Sequence, residues 1–382
     1  MGNGATARDY QDFAHTGPGT LAGRFLWRFW QPIHRAEDLA PGHAKPVRIM
    51  SEDFTLYRGE GGTPHLVAFR CAHRGTQLST GWVEGDCIRC FYHGWKYDGS
   101  GQCVEMPAED PSFPPKVKIK SYPCQEYLGL IFAYLGEGQP PPLPRYPELD
   151  SQEGVLEVVT LVNPFNYFQR LENSCDLVHV AFVHRDSQFA DSGFVGIPTI
   201  ASYAETDFGL VMRHELPGGE VRVTHIGMPN VLLIKSPPRV PEEQAWREYV
   251  GWRVPIDDAS HLSFSVALLH LEGEAARRYQ ASRGARLAAR TAIVAELGDA
   301  VLAGRLRIEE VEDTANLIQV QDYVAVKGQG VIAARDQERL GRSDAVTILF
   351  RQLWARELRA LAAGRALKQW RRPAALAVTS GV

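Results

Sequence analysis

From about Pro46 to Leu135 apolar and polar residues alternate over short runs, each cut off by Gly, Asp or Pro. Val47-Arg48-Ile49-Met50, Pro64-His65-Leu66-Val67-Ala68-Phe69 and Leu128-Gly129-Leu130-Ile131-Phe132-Ala133-Tyr134-Leu135 are examples. Short period-two runs with frequent turn signals predict a small all-β domain. Gly136-Glu137-Gly138-Gln139-Pro140-Pro141-Pro142-Leu143-Pro144 then reads as a stiff, Pro-rich linker. Beyond it the period changes. Asn166 to His184 has few breakers and predicts helix, residues 200–270 return to strands such as Val231-Leu232-Leu233-Ile234, and residues 274–325 look mostly helical. From Ser343 onward Val346, Leu349, Phe350, Leu353, Leu358 and Leu361 recur at helical spacing, which predicts a last helix packed by one face. Strands flanked by helices make the second domain α+β.

Composition narrows the function classes. The 382 residues suit two domains, and 45% hydrophobic with 23% charged residues is ordinary for a globular protein. A net charge of -4 lacks the basic excess that a nucleic-acid partner would want. No apolar run is long enough to span a bilayer, and Met1-Gly2-Asn3-Gly4-Ala5-Thr6 has no apolar secretion signal, so neither membrane nor export is expected. The six cysteines are too sparse for a disulfide scaffold. A reducing, cytoplasmic setting is expected, with Cys103, Cys124 and Cys175 as small buried apolar residues.

Chemistry enters with Cys71-Ala72-His73 and Cys90-Phe91-Tyr92-His93. This C-x-H…C-x-x-H spacing suits a Rieske centre, with two Cys on one iron and two His on the other. The competing reading is structural zinc, since Cys87-Ile88-Arg89-Cys90-Phe91-Tyr92-His93 also offers C-x-x-C-x-x-H. The division of one thiolate and one imidazole per loop, and the glycines at Gly75 and Gly94, favour the iron–sulfur reading. Cys71-Ala72-His73-Arg74-Gly75 and Cys90-Phe91-Tyr92-His93-Gly94-Trp95 resemble the two cluster-binding boxes of Rieske non-haem iron oxygenases. Gly101-Gln102-Cys103-Val104-Glu105-Met106-Pro107 resembles the loop that covers the cluster there, and Ala72 stands where the family usually has Pro.

A second constellation lies in Asp176-Leu177-Val178-His179-Val180-Ala181-Phe182-Val183-His184. Iron that must bind O₂ takes two His and one carboxylate on one face. His179 and His184, five apart, would diverge by about 140° on a straight helix, so the helix must end or carry a π-type bulge between them. The D-x-x-H-x-x-x-x-H pattern resembles the mononuclear iron motif of the same family. Asp176, one turn before His179, is placed to accept a hydrogen bond from a ligand imidazole and fix its tautomer. The resemblance gives the matching Asp a second part, joining the iron to the cluster of a neighbouring subunit. For the third ligand, Asp313 and Asp322 both stand in reach. Gln321-Asp322 followed by Gly328-Gln329-Gly330, Arg335, Glu338-Arg339-Leu340-Gly341 and Ser343-Asp344 resembles the C-terminal block of the phthalate dioxygenase-like branch. That favours Asp322, with Asp313 as the alternative. Gly17-Pro18-Gly19-Thr20-Leu21-Ala22-Gly23, Phe29-Trp30-Gln31-Pro32 and Val254-Pro255-Ile256-Asp257-Asp258 resemble signatures of the same branch.

The resemblance implies an N-terminal segment, 1–45, packing on the catalytic domain; an all-β Rieske domain, 46–145; and a larger helix-and-antiparallel-sheet catalytic domain of helix-grip type, 146–382. It implies a [2Fe-2S] cluster on Cys71, His73, Cys90 and His93, Fe(II) on His179, His184 and Asp322, and Asp176 between them. No dinucleotide motif is complete, since Gly17-Pro18-Gly19 and Gly328-Gln329-Gly330 open no helix in a βαβ unit. Electrons are therefore expected from a separate NAD(P)H-dependent reductase, with or without a ferredoxin. The expected reaction is O₂-dependent hydroxylation or O-demethylation of an aromatic substrate by a ring of three chains. Rival expectations are cis-dihydroxylation, a tailoring oxygenase for a non-aromatic product or amine, and a plain Rieske electron carrier. The substrate pocket is expected from residues between about Asp186 and His270 and from the helix around Asn173. Arg213 or Arg222 is a candidate for a substrate carboxylate, and His214, His225, His261 and His270 read as scaffold.

Overall fold

The computed structural model describes residues 11–150, 154–187, 197–215, 219, 221–236, 238, 243, 245–312 and 316–373. Its contacts fall into two units, Thr16–Leu143 and Met1–His15 with Pro144–Val382. Among the described residues no helix is long and apolar enough to cross a membrane.

The first unit begins with a short helix α1 (Leu21–Leu26), capped by the Thr20 hydroxyl accepting from the Gly23 N–H. Eleven short strands follow: β1 (Trp30–Arg35), β2 (Ala44–Ile49), β3 (Glu52–Arg58), β4 (Pro64–Ala68), β5 (Trp82–Glu84), β6 (Cys87–Arg89), β7 (Lys96–Tyr97), β8 (Cys103–Glu105), β9 (Ser121–Tyr122), β10 (Cys124–Tyr127) and β11 (Leu130–Tyr134). They form three antiparallel sheets in the orders β2-β3-β4-β9, β5-β6-β7-β8 and β1-β11-β10. Tyr57, Val67, Leu78, Ile88, Trp95, Tyr97 and Met106 fill the core around Cys71 and Cys90.

The segment 1–45 is shared between the two units. Residues 16–45 belong to the β unit, because the apolar strand Trp30-Gln31-Pro32-Ile33 is buried and pairs with β11, Gln31 opposite Ala133. Residues 11–15 belong to the other unit, where Phe13 stacks on Phe168 at 4.6 Å. Residues 1–10 lie outside the described residues.

Among its described residues the second unit is a seven-stranded antiparallel sheet with five α-helices. Its elements run β12 (Val155–Asn163), α2 (Tyr167–Cys175), α3 (Val178–Val183), β13 (Thr199–Glu205), β14 (Gly209–Glu215), β15 (Val221–Gly227), β16 (Val231–Ser236), β17 (Arg247–Asp257), β18 (Ser260–Leu269), α4 (Gly273–Leu302), α5 (Leu317–Lys327) and α6 (Ala345–Ala362). The sheet order is β12-β18-β17-β16-β15-β14-β13. Alternation sets the two faces of β17. Val250, Trp252 and Val254 are buried on one, while Arg247, Tyr249 and Arg253 on the other line a cavity with Ser263, Ser265 and Ala267 of β18. The long α4 is tied to β12 by the Tyr279 hydroxyl donating to Glu157. Phe165, Val294, Leu317, Val320, Tyr323 and Val326 pack α4 and α5 together beside it. Helix α6 buries Val346, Phe350, Leu353, Leu358 and Leu361, as its spacing predicts, and also Trp354, whose indole N–H donates to the Pro229 carbonyl.

Candidate functional site

Two sites emerge, one in each unit. In the β unit, the loops after β4 and after β6 repeat one backbone pattern. The Cys71 N–H donates to Thr76 O at 2.8 Å and the Gly75 N–H to Cys71 O at 3.0 Å; the Cys90 N–H donates to Trp95 O at 2.8 Å and the Gly94 N–H to Cys90 O at 3.1 Å. Gly75 (φ 76°) and Gly94 (φ 74°) close these turns in the left-handed region, which is why glycine stands there. The result is directional. Cys71 and Cys90 are buried, whereas His93 is exposed and His73 half-buried, with the two rings 4.5 Å apart.

Three neighbours tune this nest. The Tyr97 hydroxyl lies 3.2 Å from Cys71 Sγ. The Trp95 ring stacks on His73 at 4.5 Å and 9°. Burial raises the Cys71 thiol, so a positive charge beside it favours the thiolate. His73 Nδ1 is buried with no hydrogen-bond partner, as a ligand nitrogen awaiting a metal would be. Buried soft sulfurs and an orphaned imidazole nitrogen fit an iron–sulfur cluster. Cys87, the extra zinc candidate, sits within β6 opposite Glu84 rather than in either loop.

In the second unit the stretch expected as one helix is two. Asn166 caps α2, its side-chain oxygen accepting from the Phe168 N–H at 3.1 Å. Asp176 then takes an extended conformation (φ -98°, ψ 123°) and ends it. The Asp176 carboxylate restarts the chain as α3 by accepting from the N–H groups of Val178 (2.8 Å) and His179 (3.3 Å). Helix α3 stops at Val183, and His184 (φ -105°, ψ 13°) is its C-cap. An ended helix, not a π-bulge, turns both imidazoles one way.

Those rings meet Asp322 from α5. One donor atom from each of His179, His184 and Asp322 lies within 4.8 Å of the others. Asp322 Oδ1 is 3.4 Å from His184 Nε2 and 3.7 Å from His179 Nε2. Burial would raise the Asp322 carboxyl, but the Arg170 guanidinium, 2.9 Å from Oδ2, and the two imidazoles hold it well below the usual range. His184 Nδ1–H donates to Gln321 Oε1 at 2.9 Å, which leaves Nε2 as the free donor. His179 Nδ1 is buried without a hydrogen bond, and the nearest Asp176 oxygen is 3.7 Å away, longer than the hydrogen bond expected there. Two nitrogens and a carboxylate with open space on one side suit Fe(II). Asp313, the alternative third residue, lies outside the described residues.

The triad opens on a cavity of about 230 Å³. It is lined not only by the segments expected, Asn173 and residues of β15 to β18, but also by β12, α4 and α5 through Asn163, Val294 and Ile318. Arg222 lines it with its guanidinium 3.8 Å from the Trp246 ring, whereas Arg213 is exposed on β14. His214 lines it too; His261 and His270 are held by Phe165 O (2.8 Å) and Glu248 (2.7 Å). Sequence reasoning passed over Arg170, Gln321 and Arg253. Only Gln321, adjacent to Asp322, carried a positional hint.

A two-sulfur, two-imidazole nest and a two-imidazole, one-carboxylate pocket on one chain define an oxidoreductase that feeds electrons to an O₂-activating iron. The family profile of the Rieske [2Fe-2S] domain matches residues 29–123. The 5,5'-dehydrodivanillate O-demethylase oxygenase subunit of Sphingobium sp. is 29% identical over 94% of this chain and 82% of its own. The tert-butanol monooxygenase / tert-amyl alcohol desaturase oxygenase subunit of Aquincola tertiaricarbonis is 31% identical over 95% of this chain and 80% of its own. The oxygenase of carbazole 1,9a-dioxygenase, solved in reduced complex with its ferredoxin, shares the fold at a TM-score of 0.65 and 20% identity, covering 94% of this chain and 95% of that one. The chain belongs to the Rieske non-haem iron oxygenases, as an oxygenase subunit with a Rieske [2Fe-2S] cluster and a mononuclear iron.

Proposed function

We propose that Cys71, His73, Cys90 and His93 hold the cluster, that His179, His184 and Asp322 hold the iron, and that the chain hydroxylates or O-demethylates an aromatic substrate. The observation that carries this reading is the convergence of His179, His184 and Asp322 on a ring-lined cavity. The O-demethylase relative supports the reaction, and Phe165, Trp246, Tyr249 and Tyr323 supply flat apolar surface for a ring. Bound iron supplies reductive O₂ activation.

The chain's own residues do the rest. Gln321 fixes the His184 tautomer, Arg170 keeps Asp322 ionised, and the cavity walls position the substrate. Demethylation balances as ArOCH₃ + O₂ + 2e⁻ + 2H⁺ giving ArOH, formaldehyde and water. Electrons come from a separate NAD(P)H-fed donor, in keeping with the ferredoxin complex of the carbazole enzyme. Asp176, its side chain 38% exposed beside His179, is the entry point for electrons from the cluster of an adjoining chain in a ring of three.

The tert-butanol relative favours a second reading, hydroxylation of a small aliphatic alcohol. Oxygen uptake with a surrogate reductase, over a panel of methoxylated aromatics, aromatic acids and tert-butanol, followed by mass analysis of products from labelled O₂, tests both. Aromatic turnover with formaldehyde or one labelled oxygen is expected. Two labelled oxygens would give cis-dihydroxylation, turnover of tert-butanol alone would give the aliphatic reading, and no uptake with any of them would sink the proposal.

A further inference from the structure

Arg253 is one of the buried cationic side chains that line the cavity. Arg170 holds Asp322 and Arg247 holds Glu243, so each has a carboxylate of its own. Arg253 is only 3% exposed and lines the same cavity, yet among the described residues no carboxylate is paired with it. Its Nε is buried without a hydrogen bond, and its Nη1 makes a long 3.3 Å bond to the Trp252 carbonyl. A buried guanidinium left in this state is costly, and a positive neighbour, Arg170, adds to the cost.

The surroundings are shaped for a ligand that brings the missing charge. Tyr249, Gly251 and Arg253 project from one face of β17, and Gly251 has no side chain to separate the other two. A Cβ there would meet both Arg253 Nη1 and the Tyr249 hydroxyl at 2.9 Å. The two tips therefore converge over one glycine. Tyr249 in turn bonds Ser265 Oγ at 2.9 Å on the neighbouring strand. A planar guanidinium suits a carboxylate, which takes two parallel N–H bonds, while the Tyr249 hydroxyl, donating to Ser265 and accepting from Arg253, holds the guanidinium in place.

Resting on the aromatic reading above, we propose that Arg253, assisted by Tyr249, anchors a carboxylate of the substrate, so that the substrate class is an aromatic acid. Arg253 lines the same cavity as Arg170 and Asp322, so an anchored acid lies in the cavity on which the triad opens.

The test is equilibrium binding to the holoenzyme by calorimetry, with 4-methoxybenzoate, 4-methoxybenzamide and methyl 4-methoxybenzoate as matched probes. The acid is expected to bind at least about tenfold tighter than the two neutral probes. Arg253→Gln should weaken the acid by about 10- to 100-fold and leave the amide unchanged, and Arg253→Lys should recover part of the loss. The melting temperature of Arg253→Gln should not fall, because a buried unpaired charge has been removed. Equal binding of acid and amide to the unaltered protein, or equal weakening of both by either substitution, overturns the anchor while leaving the aromatic reading standing. If none of the three probes binds, the aromatic reading falls and the anchor with it.

Discussion

Gln321 Oε1 accepts a hydrogen bond from His184 Nδ1 at 2.9 Å, and both groups are buried. The neighbouring residue, Asp322, aims Oδ1 at the other nitrogen of the same ring, 3.4 Å away. One turn of α5 thus fixes which nitrogen of His184 is the donor and supplies the carboxylate beside it. Gln321→Leu should leave the ring free to turn and lower iron affinity by about 10- to 100-fold, measured by Fe(II) competition against a chelator. Unchanged affinity would show that the amide is a packing group only.

Asp176 does two jobs that one substitution can separate. Its carboxylate caps α3 through Val178 and His179, and its second oxygen faces His179 Nδ1. Asp176→Asn keeps a capping oxygen but loses the charge. Cluster and iron contents should be unchanged and turnover largely lost, with the cluster staying reduced after substrate and O₂ are added. Asp176→Ala should in addition lose about 1 kcal/mol of stability through the missing cap. Normal turnover in the Asn variant would remove the electron-entry role.

What could be read from the chain follows from distance along it. Cys71, His73, Cys90 and His93 lie within one short stretch, and their loops impose the same backbone pattern twice, so spacing marks them as candidates. His179 and His184 are also close along the chain, but it is the resemblance of the D-x-x-H-x-x-x-x-H pattern to the family's iron motif that marks them as candidates. Arg170, Gln321 and Arg253 come from α2, α5 and β17, far apart in sequence, and each is an ordinary polar residue until the sheet and helices meet. Alternation does predict strands through 200–270, but not that one face of β17 would carry Arg247, Tyr249 and Arg253 into a cavity. The break at Asp176 was hidden because nothing there is Gly or Pro; a side-chain cap creates it.

Arg170, half-buried, and Asp322, buried, form an ion pair beside the two imidazoles, 2.9 Å apart. Arg170→Leu would leave the buried Asp322 carboxylate with no guanidinium partner. The metal-free variant should lose about 3–5 kcal/mol of stability in denaturant melts, and bound Fe(II) should restore much of it by supplying the missing positive charge. Equal losses with and without iron would mean that Arg170 supports the fold rather than the ionisation of Asp322.

His261 gives a pH dependence with a defined sign. It is fully enclosed, its Nδ1–H donating to the Phe165 carbonyl at 2.8 Å, and burial lowers its pKa to about 3. The unfolded chain takes up a proton near pH 6.5 that the folded one refuses. Stability therefore falls as pH drops from about 6.5 towards 3, by at most about 1.4 kcal/mol per pH unit from this residue. In metal-free protein, His261→Gln should flatten that slope relative to the parent. Parallel slopes would place the acid sensitivity elsewhere.

Tyr97 is the one side-chain hydroxyl against a cluster-site sulfur among the described residues, 3.2 Å from Cys71 Sγ. Burial and the neighbouring thiol hold the phenol protonated far above its ordinary range, so it donates throughout the working pH. A donor to a thiolate stabilises the more negative, reduced state of an iron–sulfur centre and raises its potential. Tyr97→Phe removes one oxygen and leaves the ring in its buried place. The cluster should assemble normally and its midpoint potential, read by redox titration of the visible spectrum, should move negative. Because the donor then holds its electron less tightly, single-turnover transfer should gain driving force while reduction of the cluster from outside slows. A potential unchanged from the parent would assign Tyr97 to packing, through the Ala72 N–H that its oxygen also accepts at 3.3 Å.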